Sequence, residues 1–188
     1  MVFLGGPRQV GKTTLALSLL KSKGNYLLWD DDAGRTRILD KEFSKSGLVV
    51  FDELHKFRQW RGYLKGVYDT KAPALRILVT GSARLDFYRY GGDSLQGRYH
   101  YWRLHPFSVK ELQLKTQKDV EALFTLGGFP EPYLKGSQRG ARRWSREYRA
   151  RIVRDDVQSI EQVKDLGSLE ILLGHIPHTI GSPLSVNS

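Results

Sequence analysis

Residues 6–13 have the types and spacing of a phosphate-binding loop. Their sequence, GPRQVGKT, fits the pattern G-x-x-x-x-G-K-[ST], and it stands between an apolar segment and leucines at helical spacing. The glycines allow the backbone to curl so that amide N–H groups face phosphate oxygens, and a helix N-terminus adds partial positive charge there. In such loops the lysine, here Lys12, contacts the β and γ phosphates, and the Thr13 hydroxyl coordinates Mg²⁺. The predicted nucleotide contacts are Gly6, Pro7, Arg8, Gln9, Val10, Gly11, Lys12, Thr13 and Thr14.

Two adjacent acids, Asp52 and Glu53, supply the second part of a hydrolytic site. They follow four apolar residues, 48–51, which predict a strand buried on both faces. Asp52 is predicted to hold Mg²⁺ through the water shell of the ion, because this small hard cation keeps several waters and takes few protein ligands. Glu53 is predicted to orient and deprotonate the attacking water. The alternative interpretation is a strand that ends in an acidic turn.

Two further candidates for contact with the γ-phosphate come later in the chain. In open α/β sheets the ligand lies outside the carboxyl ends of the strands, so Thr80 or Ser82 could sense this phosphate, and Ser82 is the predicted sensor. A turn-forming serine is the alternative. Arg98 is a candidate arginine finger, in cis or on a neighbouring subunit, because a planar cation with several donors suits the charge of the transferring phosphoryl group. Its alternative is an ordinary surface arginine.

The charge of the chain is concentrated in one segment. The net charge is +10 with a pI near 9.8, and residues 139–154 contain seven arginines against a single acid, Glu147. Drawn as a helix, residues 141–156 place Trp144, Tyr148 and Ile152 towards a core and present an arginine face made of Arg142, Arg143, Arg146 and Arg149. Such a face could neutralise DNA phosphates. A solvated face or an inter-subunit contact is the alternative.

The elements that must position these residues alternate in the manner of βαβ units. Apolar runs predict strands at 2–4, 26–29, 48–51, 76–80 and 99–104, and helical periodicity predicts helices at 13–22 and 58–68. The fold class is therefore α/β with a parallel sheet. After residue 104, a capping box at 108–111 predicts the start of a helix, and 127–132, with two glycines and two prolines, predicts a linker. We expect one domain over 1–126 and a second, mainly helical one over 127–188, with a buried helix at 166–176.

Composition narrows the classes of protein that remain. The 188 residues are 40% hydrophobic and 27% charged, values that are typical of a globular chain, and no run approaches the roughly 20 apolar residues needed to span a bilayer. The chain has no cysteine, which excludes disulfides, thiolate metal sites and cysteine nucleophiles and favours a cytoplasmic location. Both ends lack the usual lead-in or stop signals, so we expect a fragment of a longer protein.

Three stretches together resemble a known family. These are GPRQVGKTTL, FDELHKFRQWRGYLKGVYD and LVTGSARLDFYRYGGDSLQGRYHYWRLHPFSVKEL, which resemble the prokaryotic AAA-type P-loop ATPases that carry a C-terminal domain of unknown function. The resemblance implies a three-layer P-loop fold with strand order 5-1-4-3-2, the acidic pair at 52 and 53, the sensor at Ser82, and, by analogy, a finger at Arg98. Members of that family are longer, with a helix before the first strand and a winged-helix-like region beyond the end of this chain.

These interpretations converge on a Mg²⁺-dependent ATPase that couples hydrolysis to a conformational change. The predicted catalytic residues are Glu53, Lys12, Ser82 and Arg98, and the predicted metal ligands are Thr13 and Asp52. ATP is the expected nucleotide, because the chain lacks the N/T-K-x-D pattern of guanine recognition. A nucleotide-gated DNA-binding regulator with little turnover, or a small-molecule kinase, is the alternative. A homo-oligomer is compatible with all three, and no membrane partner is expected.

Overall fold

A parallel sheet forms the centre of the first part of the chain. The computed structural model describes residues 1–81, 95–152, 166–176 and 181. Within them, five parallel strands form one sheet in the order β2-β3-β4-β1-β5. The strands are β1 (Val2–Gly5), β2 (Tyr26–Leu28), β3 (Gly47–Asp52), β4 (Leu75–Thr80) and β5 (His100–Arg103). Counted from the other edge this order is 5-1-4-3-2, so the predicted sheet order is confirmed.

Helices cover both faces of this sheet. They are α1 (Lys12–Ser18), α2 (Asp32–Leu39) and α3 (Trp60–Lys71). Ala16 of α1 packs on one face, whereas Ile38 of α2 and Leu64 of α3 pack on the other. The result is the three-layer α/β fold that the sequence predicted. The helix α2 was not predicted; it begins where the Asp31 carboxylate accepts a hydrogen bond of 2.8 Å from the Gly34 amide.

Strand residues alternate between the two apolar cores, and this alternation also places the polar residues. Val49 and Phe51 of β3 are fully buried on the side of α3, and full burial of such side chains contributes about 1.5–3 kcal/mol each. Val50 packs on the side of α1. Since side chains two residues apart share a face, Asp52 lies on the same side as Val50, towards α1. The carboxyl end of β3 therefore directs a carboxylate to the start of α1.

The chain divides into two compact units. One comprises 1–115 with 128–131, and the other comprises 116–127 with 132–188. The later helices are α4 (Gln117–Leu126), α5 (Pro130–Lys135), α6 (Gln138–Arg151) and α7 (Leu166–His175). Thr116 and Asp119 form a capping box at the start of α4, where the Asp119 amide donates to the Thr116 hydroxyl at 3.2 Å. The domain boundary expected at 126/127 stays a prediction.

Three local predictions after residue 104 were wrong. The capping contact forms, with the Ser108 amide 2.9 Å from the Glu111 carboxylate, but only a turn follows because Gln113 has a left-handed φ of 52°. The linker predicted at 127–132 extends only to 129, since Pro130 opens α5 at a helix position that tolerates proline. The helix at 166–176 forms but is not buried, because Ile171 is 65% exposed.

Candidate nucleotide-binding site

The loop between β1 and α1 has a backbone that few sequences can adopt. Gly6 has a φ of 140° and Gly11 a φ of 100°, and Gln9 between them is also left-handed at 60°. A Cβ atom on Gly6 would lie 2.4 Å from the carbonyl oxygen of Leu104, so only glycine fits there. Successive changes of backbone handedness are what turn amide N–H groups into an anion-binding concavity. The N-cap of α1 is Gly11, which has no side chain to occupy the first amides of the helix.

Lys12 is held inside this loop. Its side chain is almost buried, at 8% exposed, and its ammonium donates hydrogen bonds to the carbonyl oxygens of Gly6 at 3.0 Å and Pro7 at 2.7 Å. The ammonium therefore lies against the loop that precedes it, in a position to contact a phosphate chain bound by that loop. The rest of the predicted contact set surrounds it: Pro7 and Arg8 are half-buried, Val10 is buried, and Gln9, Thr13 and Thr14 are exposed.

Thr13 and Asp52 meet across the gap between α1 and β3. The Thr13 hydroxyl donates a hydrogen bond of 2.9 Å to Oδ2 of Asp52, although the two residues are 39 positions apart. Asp52 is only 4% exposed, whereas Thr13 is exposed to solvent. The structure thus brings together the two residues that the sequence predicted as metal ligands, next to Lys12.

Two hydroxyls that sequence reasoning did not connect to Asp52 complete its surroundings. The Tyr26 hydroxyl donates to Oδ2 at 2.5 Å, and the Thr80 hydroxyl donates to Oδ1 at 2.5 Å. Burial, followed by the hydrogen bond to Asp52, raises the pKa of Tyr26 above its ordinary value, so this phenol stays protonated and remains a donor. Thr80 is fully buried and is register-paired with Asp52 in neighbouring strands. The sequence offered one signal for this arrangement: in paired strands these residues fall at positions whose side chains point to the same face of the sheet.

Glu53 follows Asp52 but points to a different environment. Its backbone is left-handed, with φ 57° and ψ 19°, and its amide donates to the Thr80 carbonyl at 3.0 Å. Its carboxylate lies 3.7 Å from the Lys56 ammonium, which also pairs with Asp30 at the end of β2. Burial raises the pKa of Glu53, and the charge of Lys56 opposes this rise. A half-buried carboxylate with elevated basicity has the character of a general base.

The donor set at this point suits Mg²⁺. The ion prefers hard oxygen ligands and usually takes one or two from the protein while it keeps several waters. The hydroxyl of Thr13 and the carboxylate of Asp52 are such oxygens, 2.9 Å apart and beside a cationic lysine that would face the same phosphates. The residues present therefore fit a magnesium ion.

Arg98 does not join this group within one chain. It directly precedes the segment that leads into β5, and its carbonyl accepts a 3.0 Å hydrogen bond from the amino group of Met1, at the amino end of β1. Its guanidinium pairs with Asp69 through bonds of 2.8 and 3.3 Å. The phosphate loop starts at the opposite end of β1, about 13 Å away for four residues at about 3.3 Å each. A role of Arg98 as a finger on the nucleotide of a neighbouring subunit stays a prediction, and the predicted sensor Ser82 lies outside the described residues.

The predicted arginine face is formed by α6. The side chains of Arg142, Arg143, Arg146 and Arg149 are all exposed on this helix. Glu147 forms ion pairs with Arg143 at 3.3 Å and with Arg151 at 3.6 Å. Trp144 and Tyr148 stack on each other with ring centroids 4.6 Å apart. The helix is thus amphipathic as expected, whereas binding of DNA to it stays a prediction.

Comparison with known families identifies the class of the first part of the chain. A family described as an AAA domain matches residues 1–113. The chain belongs to this AAA domain family. Residues 117–188 match a domain of unknown function, DUF8612, so the resemblance stated from the motifs is confirmed. Membership of the AAA domain family implies a P-loop fold and nucleotide binding.

The curated relatives that match are uncharacterized. Two uncharacterized proteins, one from Mycobacterium bovis and one from Mycobacterium tuberculosis, are each 28% identical over 152 residues, which is 79% of this chain and 34% of theirs. The chain thus spans about a third of their length. A DNA polymerase III, gamma subunit-related protein from Thermotoga maritima aligns over 81% of this chain and 57% of its own, with 10% identity and a TM-score of 0.41, too low to carry an argument. In the part of the chain that the structure describes, no helix is long and apolar enough to cross a membrane.

Proposed function

We propose that this AAA domain binds ATP and hydrolyses it with Mg²⁺, and that hydrolysis changes the conformation of the protein. The observation that carries the proposal is the 2.9 Å contact between the Thr13 hydroxyl and the Asp52 carboxylate, next to a lysine enclosed by the phosphate loop. An isolated loop motif is compatible with a chance turn. A loop whose threonine meets a buried carboxylate from a neighbouring strand supports a shared phosphate and metal site.

The residues divide the work of the proposed reaction. Lys12 exchanges its bonds with two loop carbonyls for bonds to β and γ phosphate oxygens, where a charged donor stabilises the transferring group. Glu53 holds the attacking water and takes its proton, a role that typically contributes 10²–10⁴-fold. Thr13 and Asp52 hold Mg²⁺, which when bound neutralises charge on the β and γ phosphates.

The same site could serve a small-molecule kinase, and the acid after Asp52 argues against this. A kinase transfers the phosphoryl group to an acceptor, whereas a half-buried carboxylate beside the metal-binding acid suits activation of water. Phosphate release should therefore occur without any added acceptor. Release that depends on an added sugar, nucleoside or other hydroxyl compound would favour the kinase.

Nucleotide titration of the purified chain tests the proposal directly. We expect Mg²⁺-dependent binding of ATP and ADP, weaker binding of GTP, and phosphate release from ATP. Lys12→Ala removes two charge-assisted donors, each worth about 1.5–3 kcal/mol, so affinity should fall by about 100-fold or more. Lys45→Ala is the matched control, because Lys45 is an exposed lysine away from the loop. Equal affinity of the wild type and Lys12→Ala would contradict the proposal.

A second candidate function, nucleotide-gated DNA binding, is favoured by the arginine face of α6. Four exposed arginines lie on one helix with Glu147 as its acidic residue. Each phosphate contact contributes a slope of about −0.9 to the dependence of log affinity on log salt. Replacing Arg142 and Arg146 by alanine should reduce that slope by about two, and replacing the exposed Arg58 and Arg76 should leave it unchanged. Binding that is equal in all variants, or insensitive to salt, would refute this candidate.

A further inference from the structure

The hydroxyl of Tyr26 reaches the candidate site from β2, which lies three strands away from β1 and its phosphate loop in the sheet order. Tyr26 lies in β2, an edge strand, and is register-paired with Val50 of β3. Asp52 is two residues further along β3 and shares the face of Val50, about 6.6 Å away along the strand. A tyrosine side chain spans this distance, and its hydroxyl ends 2.5 Å from Oδ2 of Asp52.

This contact limits how Asp52 can act. A carboxylate offers about four acceptor sites, two on each oxygen. Thr13 and Tyr26 both donate to Oδ2, and Thr80 donates to Oδ1. Three of the four sites are thus used by hydroxyls of the described residues. The three hydroxyls hold the carboxylate in one orientation, beside the Thr13 hydroxyl that completes the proposed metal site.

Each of these donors has a different relation to the proposed site. Thr13 belongs to the loop motif, and Thr80 belongs to a strand end at which the sequence already suggested a phosphate contact. Tyr26 belongs to neither. Its ring packs against the apolar core on the side of α1, so the ring has a structural task and the hydroxyl has a separate one.

We propose that the Tyr26 hydroxyl is a positioning group that fixes the Asp52 carboxylate for the hydrated Mg²⁺ and thereby sets the affinity of the site for the metal. This inference rests on the proposed function. Groups that orient the ligands of a metal are often worth 10- to 100-fold in metal affinity. Because Asp52 keeps Thr80 and Thr13 when Tyr26 is removed, we expect an effect at the low end of that range.

Tyr26→Phe removes the hydroxyl and keeps the ring in its core. Tyr63→Phe is a closely matched control, because the Tyr63 hydroxyl also makes a 2.5 Å hydrogen bond, to the Ile38 carbonyl, on the other face of the sheet. For the wild type and both variants, the binding of a fluorescent ADP would be measured in EDTA and then as a function of Mg²⁺ concentration. These are equilibrium binding measurements and do not depend on turnover.

We expect the Mg²⁺ midpoint of Tyr26→Phe to rise by about tenfold, with its ADP affinity in EDTA within about twofold of the wild type. Tyr63→Phe should match the wild type in both measurements. An unchanged or lower Mg²⁺ midpoint for Tyr26→Phe would overturn the inference. Loss of ADP binding in EDTA would also overturn it, because the hydroxyl would then support the fold rather than the metal. A wild type that binds no nucleotide at all would instead refute the proposed function.

Discussion

Replacing Glu53 by glutamine should separate nucleotide binding from hydrolysis. Glutamine has nearly the same side-chain volume as glutamate and the same steric cost in the left-handed conformation of this position. Its neutral amide cannot take a proton from water. Loss of a general base typically costs 10²–10⁴-fold in rate, which is about 3–5.5 kcal/mol of transition-state stabilisation. The residues of the loop and the Thr13–Asp52 contact remain, so ATP affinity should stay within about threefold.

The effect of Glu53→Gln on stability should be small. The carboxylate lies 3.7 Å from the Lys56 ammonium, and these side chains are 24% and 35% exposed, so the ion pair is worth at most about 1 kcal/mol. The neutral amide also removes the cost of burying a charge, which acts in the opposite direction. For a chain of this size the thermal midpoint should move by no more than about 4 °C.

Single-turnover phosphate release and equilibrium binding of labelled ATP are the assays for this variant. Glu42→Gln is the control, because Glu42 is exposed and its replacement makes the same change of charge within the same unit. Turnover of Glu53→Gln equal to that of the wild type would remove Glu53 from its role. Loss of binding together with turnover would show that Glu53 supports the site rather than the chemical step.

Two further predictions concern the fold around the site and at the opposite end of the sheet. Gly6→Ala should lower the thermal midpoint by several degrees and weaken nucleotide binding, because its Cβ would lie 2.4 Å from a backbone carbonyl at a φ of 140°. The control is Gly62→Ala in α3, which meets no atom within 4 Å and should be neutral or stabilising. Equal melting of both variants would contradict this prediction. Hydrogen bonds from Arg98 lower the pKa of Asp69, so the stabilisation from this pair is present above the ordinary carboxyl pKa and is lost as pH falls through the lowered value. The difference in thermal midpoint between the wild type and Asp69→Asn should therefore be largest near neutral pH and vanish in acid; a difference that grows in acid would refute the assignment.

Strands β1, β3 and β4 could be predicted from the sequence because most of their successive residues are apolar, whereas the edge strand β5 reads HYWR and is mostly exposed. Helix α2 could not, since its sequence DAGRTRIL contains a glycine and few apolar residues. The structure explains that glycine: a Cβ on Gly34 would lie 2.3 Å from the Leu28 carbonyl oxygen, so close packing of α2 on β2 requires it. The helix expected to start at the capping box of 108–111 does not form for a local reason, the left-handed Gln113, which the capping motif does not encode.

The site was predictable where it depends on a motif and unpredictable where it depends on register. Lys12 and Thr13 come from the loop pattern, and Asp52 from its place after an apolar strand. The contact of Tyr26 with Asp52 needs the pairing of Tyr26 with Val50, which no local pattern contains. The position of Arg98 was implicit in the predicted strand that follows it, because a residue before a parallel strand lies at the amino end of the sheet, away from the phosphate loop.

The backbone conformation of Glu53 directs the side chains of Asp52 and Glu53 into different surroundings. In a continuous strand successive side chains alternate between faces, so a strand that carries Asp52 towards α1 would carry Glu53 into the apolar core beneath α3. The left-handed conformation of Glu53 breaks this alternation and begins the turn at Leu54–Lys56 that brings Lys56 back to its carboxylate.

This conformation costs a residue with a Cβ on the order of 1 kcal/mol, which glycine does not incur. Glu53→Gly should therefore melt at or above the temperature of Glu53→Gln while it lacks hydrolysis just as completely. A clearly lower thermal midpoint for Glu53→Gly would mean that contacts of the side chain, rather than the demands of the reaction, maintain the strained backbone at this position.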